Sequence, residues 1–415
     1  MNISKINLVN FRNYSKLSIN LGQNMNIFIG NNAQGKTNIL ESIMFLALTK
    51  SPRVFNESDL IKYGLSKAIV KGKVKDNNSI KEMEISLEKG KKSLSINKTP
   101  IKKLSSYISN LIIISFTPDD LNIIKSSPSI RRNVLNVQIS QLSKVYLNTY
   151  NEYNKLLKVR NEYLKVLFTN SIADKNYFDV ITEKLIEKAV IIYQIRKEYI
   201  DMINLSITDI YDDIDNSKAK ISMKYEPNVE ILDYDTNKLS DTLKNIFKTN
   251  YRKELNNGVT LFGPHRDDFS FYLDEKNLKI YGSQGQQKLA VLAYKLSEVP
   301  IFIDKCNSTP VLLFDDIFSE LVKSCDTLEE ARETLKRYKT DITPYDGCYL
   351  VTEYCVLPEI YDEDGEIVES GDIEEITEMK IGVEDEEWNV VKTFDNLKEA
   401  DDFIHSDERE LTLIY

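Results

Sequence analysis

The chain has 415 residues, 42% apolar and 28% charged, ordinary proportions for a globular protein with room for two or three hydrophobic cores. No run approaches the roughly 18 consecutive apolar residues of a membrane span, and the N-terminus opens on an alternating strand pattern instead of a signal-peptide core. The net charge of −10 conceals a split: residues 322–415 hold 9 Lys+Arg and 28 Asp+Glu, whereas residues 1–321 hold 45 and 36 and are net basic. That asymmetry is a hint of nucleic-acid contact by the body. Four cysteines, Cys306, Cys325, Cys348 and Cys355, lack C-x-x-C spacing and accompany only two histidines. A structural zinc site or disulfide framework is therefore not expected, and a reducing cytoplasm fits.

In chain order, Ile3, Ile6, Leu8 and Phe11, then Leu17, Ile19 and Leu21, read as strands, followed by a buried run at 26–29. A glycine-punctuated loop leads into an apolar helix from Ile39 to Leu48. Residues 68–97 read as an antiparallel meander turning at Glu88-Lys89-Gly90-Lys91, and 111–116 as a short buried strand before Thr117-Pro118-Asp119-Asp120. From 129 the period changes. Leu135, Ile139, Leu142, Tyr146, Tyr150, Tyr153, Leu157 and Leu164 form the stripe of an amphipathic helix, and a second helix is expected from Tyr177 to Ile210. Two such arms of roughly 35–40 residues give an antiparallel hairpin about 50–60 Å long. Residues 259–321 return to an α/β pattern. Beyond them, Tyr349–Ile360 and 388–394 read as strands around an acidic turn at 362–365, with short helices opening at Asp326 and Asp395.

Three segments carry chemistry. Gly30-Asn31-Asn32-Ala33-Gln34-Gly35-Lys36-Thr37 matches G-x-x-x-x-G-K-[ST] between a buried strand and a helix. Its backbone amides and the helix N-terminus suit phosphates, Lys36 the β- and γ-phosphates, and Thr37 a Mg²⁺ ion. Val311-Leu312-Leu313-Phe314-Asp315-Asp316 is an apolar strand delivering two carboxylates, Asp315 for Mg²⁺ and Asp316 for the attacking water. Ser283-Gln284-Gly285-Gln286-Gln287 precedes a helix; in isolation it is simply a capped helix start, but its serine and glycine also make an anion site. Along the chain the order is phosphate loop, Ser283–Gln287, then Val311–Asp316, and the three together mark an ABC-type ATPase, in which two subunits sandwich ATP. The fold class read from them is α/β: an ABC-type P-loop ATPase domain split by an inserted α-helical hairpin domain, plus a small C-terminal α+β module.

Further segments are shared with a known family. Asn10-Phe11-Arg12-Asn13-Tyr14, Gly30 to Asn38, Phe116 to Leu121, Arg131-Arg132, Gly263-Pro264-His265-Arg266-Asp267-Asp268, Ser283 to Gln287, and Asp315-Asp316-x-Phe318-Ser319-Glu320-Leu321 resemble the RecF family of recombination mediators over residues 1–321. As bare chemistry, His265 reads as a satisfied polar-core residue. The resemblance implies a cytoplasmic DNA repair and replication factor that binds ATP, dimerises on it, and engages single-stranded and gapped duplex DNA. RecR-type and RecA-type proteins are the implied partners. It also implies that Arg12 lies near the nucleotide and that Ser283, Gly285 and Gln286 serve the partner's ATP. Lys144, Lys155, Lys158 and Arg160 are candidate contacts to the DNA backbone. The expected division is 1–128 and 259–321 for the ATPase, 129–258 for the helical insert, and 322–415 for an acidic module.

The family continues Ser-Glu-Leu with an aspartate; here Val322 stands in its place, and the acidic segment follows. The ATPase is therefore expected to lack the family's last strand, D-loop and switch, and its hydrolysis to be weak or absent. The alternatives are another SMC-like DNA-processing ATPase or nuclease, and a fusion defective in hydrolysis. The tail is either an inert appendage or, at net −19, a DNA mimic or partner-binding domain that competes for the basic body.

Overall fold

The computed structural model describes residues 1–315 apart from 31–33, 55, 77–78, 89–90, 119, 121–122, 170–173 and 216–217. Beyond 315 it describes the backbone of strands at 338–345, 348–356, 360–361, 367–369, 381–384, 390–394 and 412–414. The chain divides into two compact units, residues 1–113 with 310–415, and residues 114–309.

The first unit is built on a six-stranded antiparallel sheet. Its spatial order is Tyr14–Asn20, Asn2–Phe11, Lys67–Asp76, Ser79–Glu88, Lys91–Ile96, Thr99–Pro100. Alternation interrupted by a β-bulge between Ile3 and Lys5 buries Ile3, Ile6, Leu8 and Phe11 in one core, with Val70, Val74, Met83 and Ile85 beside them. Against this face packs the helix Lys36–Leu48, through Ile39, Ile43, Phe45 and Leu46. Each such side chain contributes about 1.5–3 kcal/mol when fully buried. The helix comes close enough that a Cβ on Gly72 would stand 2.4 Å from the Leu46 Cδ2. Only a residue without a side chain fits there. The meander expected at 68–97 is present, and its tight hairpin pairs Glu88 with Lys91.

The phosphate-loop strand Asn26–Gly30 has an antiparallel neighbour that the sequence reading did not anticipate. The strand Cys348–Val356 pairs along it, from Cys348 opposite Gly30 to Thr352 opposite Asn26, and Tyr338–Tyr345 pairs on the far side. Residues 310–415 fall in one compact unit with 1–113, and this pairing joins the two stretches. The short helices expected at 326–331 and 395–400 lie outside the described residues.

The second unit is mainly helical. Its elements are Pro128–Leu142, Lys144–Thr169, Lys175–Asn204, Ile207–Asp215, Thr236–Asn257 and Gln284–Cys306, with a three-stranded antiparallel sheet of Lys276–Asn277, Asp268–Leu273 and Ile221–Glu226. The arm expected to run unbroken from 129 is interrupted at Ser143, whose extended backbone (φ −131°, ψ 108°) ends the first helix. The paired helices that remain have 26 and 30 residues, about 39 and 45 Å at 1.5 Å per residue, shorter than expected.

Arg160 overturns one expectation outright. It is fully buried, paired with Glu254 at 2.6 Å, donating to Thr260 and Thr182, and sandwiched between the Phe178 and Phe247 rings. It holds helices together and offers nothing to a DNA backbone. Lys144, Lys155 and Lys158 are exposed.

The Gly263–Asp268 run is a keystone of the second unit. The Arg196 guanidinium, fully buried, donates to the Pro264 carbonyl at 2.6 Å and to Asp267 at 2.9 Å. Arg131 grips Asp268 with two bonds of 2.6 Å, and Arg132 donates to the Asp267 carbonyl. His265 bonds Tyr153 at 2.6 Å and the Thr260 carbonyl at 3.2 Å, the satisfied polar-core role read from its chemistry. Burial pushes its pKa down to about 4, so it stays neutral.

Candidate nucleotide site

The phosphate loop meets its helix at Gly35, whose φ of +104° lies in the left-handed region. A Cβ there would meet the Tyr14 hydroxyl at 2.5 Å and the Asn13 amide at 2.6 Å. Backbone conformation and space thus both demand glycine, and they bring the loop against the turn that joins the first two strands. Asn13 and the Tyr14 hydroxyl each donate to the Gln34 carbonyl at 3.4 Å, and Asn38 donates to Asn13 at 2.7 Å. Lys36 and Thr37 then open the helix, both half-buried, with no acidic residue in its first turn. The helix dipole favours an anion at this end.

Strand Val311–Phe314 ends at Asp315. The Thr37 hydroxyl donates to Asp315 Oδ1 at 3.0 Å, so the two residues assigned to Mg²⁺ converge. A hydroxyl and a carboxylate side by side are the hard oxygen pair Mg²⁺ accepts, with phosphate oxygens and waters completing its octahedron. Val311 is anchored by its N–H on the Ile112 carbonyl at 2.9 Å. Asn31, Asn32, Ala33 and Asp316 lie outside the described residues; of Gly30 only the backbone is described, at the strand's end.

Arg12 stands at the neighbouring mouth. Its backbone is left-handed (φ 54°), held by its N–H on the Leu60 carbonyl at 2.8 Å. Its guanidinium forks onto Glu41 with bonds of 2.8 and 2.6 Å and reaches the Asp59 carbonyl at 3.1 Å. Glu41, fully buried on the phosphate-loop helix, also accepts from Ser51 at 2.5 Å, and Arg53 lies 3.8 Å away. Such a bidentate, charge-assisted pair fixes the guanidinium plane. Beside it opens a cavity of about 770 Å³, lined by Arg12, Asn13, Asn38, Arg53, Lys62 and Tyr63 among others. Sequence reasoning named Arg12, and quoted Asn13 and Asn38 only within shared segments without giving them a role; Glu41 it missed. The available signal was a lone acid, Glu41, inside an otherwise apolar helix.

In the second unit, Ser283 caps the helix Gln284–Cys306. Its Oγ accepts from the Gln286 N–H at 3.2 Å, while the Gln286 side chain accepts from the Ser283 N–H at 3.0 Å. Gln287 is buried and ties the segment to the Leu278 and Gly282 carbonyls, leaving Ser283, Gly285 and Gln286 exposed.

The model of the RecF/RecN/SMC N-terminal domain matches residues 2–328. Over 322 residues the chain is 37% identical to the DNA replication and repair protein RecF of Bacillus thuringiensis (strain Al Hakam), covering 77% of this chain and 86% of that one. The RecF of Bacillus cereus (strain B4264) matches to the same extent. Two solved structures of the recombination mediator protein RecF of the RecFOR pathway are 30% identical to it. The ATP form has a TM-score of 0.73 and covers 80% of this chain and 88% of that one; the ATPrS form has 0.72, 77% and 86%. The sequence, the site and these likenesses agree: the chain belongs to the RecF family, with its ABC-type ATPase fold of mixed α and β content.

Proposed function

We propose that this protein binds Mg-ATP at the phosphate loop and uses it to engage single-stranded and gapped duplex DNA in recombinational repair. The observation that carries the reading is the Thr37–Asp315 contact beside a glycine-constrained loop. Gly30 to Thr37 would wrap the triphosphate, Lys36 would neutralise it, and Thr37 and Asp315 would hold the metal. Bound Mg²⁺ supplies charge neutralisation between the β- and γ-phosphates. The cavity beside Arg12 would take the nucleoside end, with Asn13 and Asn38 offering polar contacts. Asp316 would orient water, and Ser283, Gly285 and Gln286 would meet the nucleotide of a second copy in an ATP-dependent homodimer. RecR-type and RecA-type proteins would be its partners in the cytoplasm, and the four-part division of the chain belongs to the same reading.

Hydrolysis is proposed to be weak, because Val322 replaces the family's D-loop aspartate and no family-like switch follows in the sequence. The test compares binding to gapped and blunt duplex, with and without Mg-ATP, for the intact protein and Lys36→Ala. Preference for the gapped duplex that appears with Mg-ATP and vanishes in Lys36→Ala supports the reading. Binding indifferent to nucleotide and to Lys36 refutes it.

A further inference from the structure

The tip of the helical pair in the second unit gathers cations around one exposed aromatic ring. Helices Lys144–Thr169 and Thr236–Asn257 run side by side in the same direction. Arg160 pairs with Glu254 at 2.6 Å, and further along the Lys165 stem lies over Gly258, where an added Cβ would meet its Cγ at 3.3 Å. The second helix ends at Asn257, and Phe168, three residues past Lys165 on the same side, stands about 4.5 Å beyond that contact along the axis. Phe168 thus clears the end of its neighbour and is 61% exposed.

Lys175 opens the helix Lys175–Asn204 and holds its Nζ 5.2 Å from the centroid of the Tyr251 ring, so a second lysine is seated on the same last turns. Those turns themselves expose Lys248, Arg252 and Lys253, while Leu243, Phe247 and Glu254 are buried. Helix stability does not explain this distribution. None of the three lies in the final turn, where a cation complements the dipole, and Lys248 and Arg252 repel at i,i+4. Over residues 161–180 and 245–258 the acids are Glu162, Asp174, Asp179 and Glu254. Glu254 is spent on Arg160, and Asp174 caps its own helix by accepting from the Asn176 N–H. Five exposed cations therefore outnumber the two remaining carboxylates.

Cations beside an accessible ring suit a strand whose bases are unpaired. Ammonium and guanidinium groups take its phosphates, and the ring takes the face of a base. A duplex offers the phosphates but keeps its base faces stacked.

We propose that this tip is a single-strand nucleic-acid site, in which Phe168 stacks on one base and Lys165, Lys175, Lys248, Arg252 and Lys253 hold the backbone beside it. The proposal rests on the reading that the protein engages DNA, and it assigns the unpaired strand to the second unit.

The experiment uses the full chain and a short fluorescent oligothymidylate, followed by anisotropy over a range of salt and set beside a blunt duplex. Phe168→Ala is expected to weaken the single strand about fivefold or more and to leave the duplex within about twofold. Lys165→Gln/Lys253→Gln is expected to shrink the single-strand salt slope by about 1.4, two contacts at roughly 0.7 each. In Phe168→Trp the added fluorescence is expected to be quenched as the strand binds, beyond any change in Trp388, the sole native tryptophan. Melting temperatures and Mg-ATP affinities are expected to match the parent's, since the substituted positions are exposed and lie outside the phosphate loop. A parent that binds single strands, with affinity and salt slope untouched in both Phe168→Ala and the glutamine pair, overturns the proposal and leaves the DNA reading standing. Equal losses on single strand and blunt duplex in Phe168→Ala overturn the single-strand assignment. A parent that binds neither overturns both readings.

Discussion

The Thr37 hydroxyl lies 3.0 Å from the Asp315 carboxylate, joining positions 278 residues apart. One follows the phosphate loop; the other ends a short strand. In the proposed reading the two would share a divalent cation.

Thr37→Ala and Asp315→Asn should therefore weaken Mg-ATP more than metal-free ATP. Losing one ligand to a charged partner is worth about 1.5–3 kcal/mol, or roughly 10- to 100-fold in affinity. Calorimetric titrations with Mg-ATP and with ATP in a chelator measure the difference. Equal losses in both would remove the metal role.

Glu41→Gln should loosen the Arg12 fork. The buried carboxylate accepts from Arg12 and Ser51, so neutralising it leaves the guanidinium less firmly oriented. Arg12 is partly exposed, which limits the stability loss to about 1–3 kcal/mol by denaturant unfolding. ATP affinity should fall in parallel with Arg12→Ala, and the double variant should be no worse than either single one.

Gly72→Ala should destabilise the first unit. The added methyl would stand 2.4 Å from a Leu46 methyl, so the helix must move or Leu46 must leave its rotamer. Overpacking of this kind costs about 1–3 kcal/mol. Leu46→Ala in the same chain should recover part of that loss, read from the midpoints of urea unfolding.

Glu298 offers a pH test in the second unit. It is fully buried and accepts from the Tyr199 hydroxyl at 2.7 Å. Burial raises its pKa from 4.5 to about 7, against the opposing charge of Lys295. Between those values the folded chain keeps a proton that the unfolded chain has released. Its contribution to stability therefore falls as pH rises from about 4.5 to about 7 and is flat above that. Glu298→Gln keeps an acceptor for Tyr199 and should abolish this slope. At pH 8 it should be more stable than the parent by on the order of 3 kcal/mol. Unfolding curves at pH 5, 6, 7 and 8 measure both.

Deleting 322–415 should do more than remove negative charge. The deletion strips the strand Cys348–Val356 from Asn26–Gly30 and opens the second edge of a phosphate-loop strand that already ends its sheet among the described residues. Open edges promote association. The truncated chain should elute as larger species at moderate concentration, in light scattering after size exclusion. If DNA affinity is also unchanged at low salt, the tail does not compete for the basic body.

Much of the candidate site was legible in the sequence, because its chemistry is local. Gly35, Lys36 and Thr37 must stand together at a strand-to-helix junction, and Asp315 must end an apolar strand. What escaped was set by contacts far apart in sequence. The pairing of Cys348–Val356 with the phosphate-loop strand has no local signature, since an edge accepts any strand of suitable register. The single arm expected from 129 ignored Ser143, whose extended backbone breaks it. Arg160 misled through its charge. It sits seven residues after Tyr153 and four before Leu164, both buried, and so falls on the apolar stripe, where its guanidinium is satisfied by Glu254 and Thr260. Spacing decided its place, and charge decided only what had to surround it.

Calorimetric titration of the intact protein with Mg-ATP, set beside Lys36→Ala, tests the central claim most directly. Saturable one-site heat from the intact chain, lost in a Lys36→Ala protein of unchanged melting temperature, is the expected result. A folded intact protein that gives no heat and no rise in melting temperature with Mg-ATP would contradict the account.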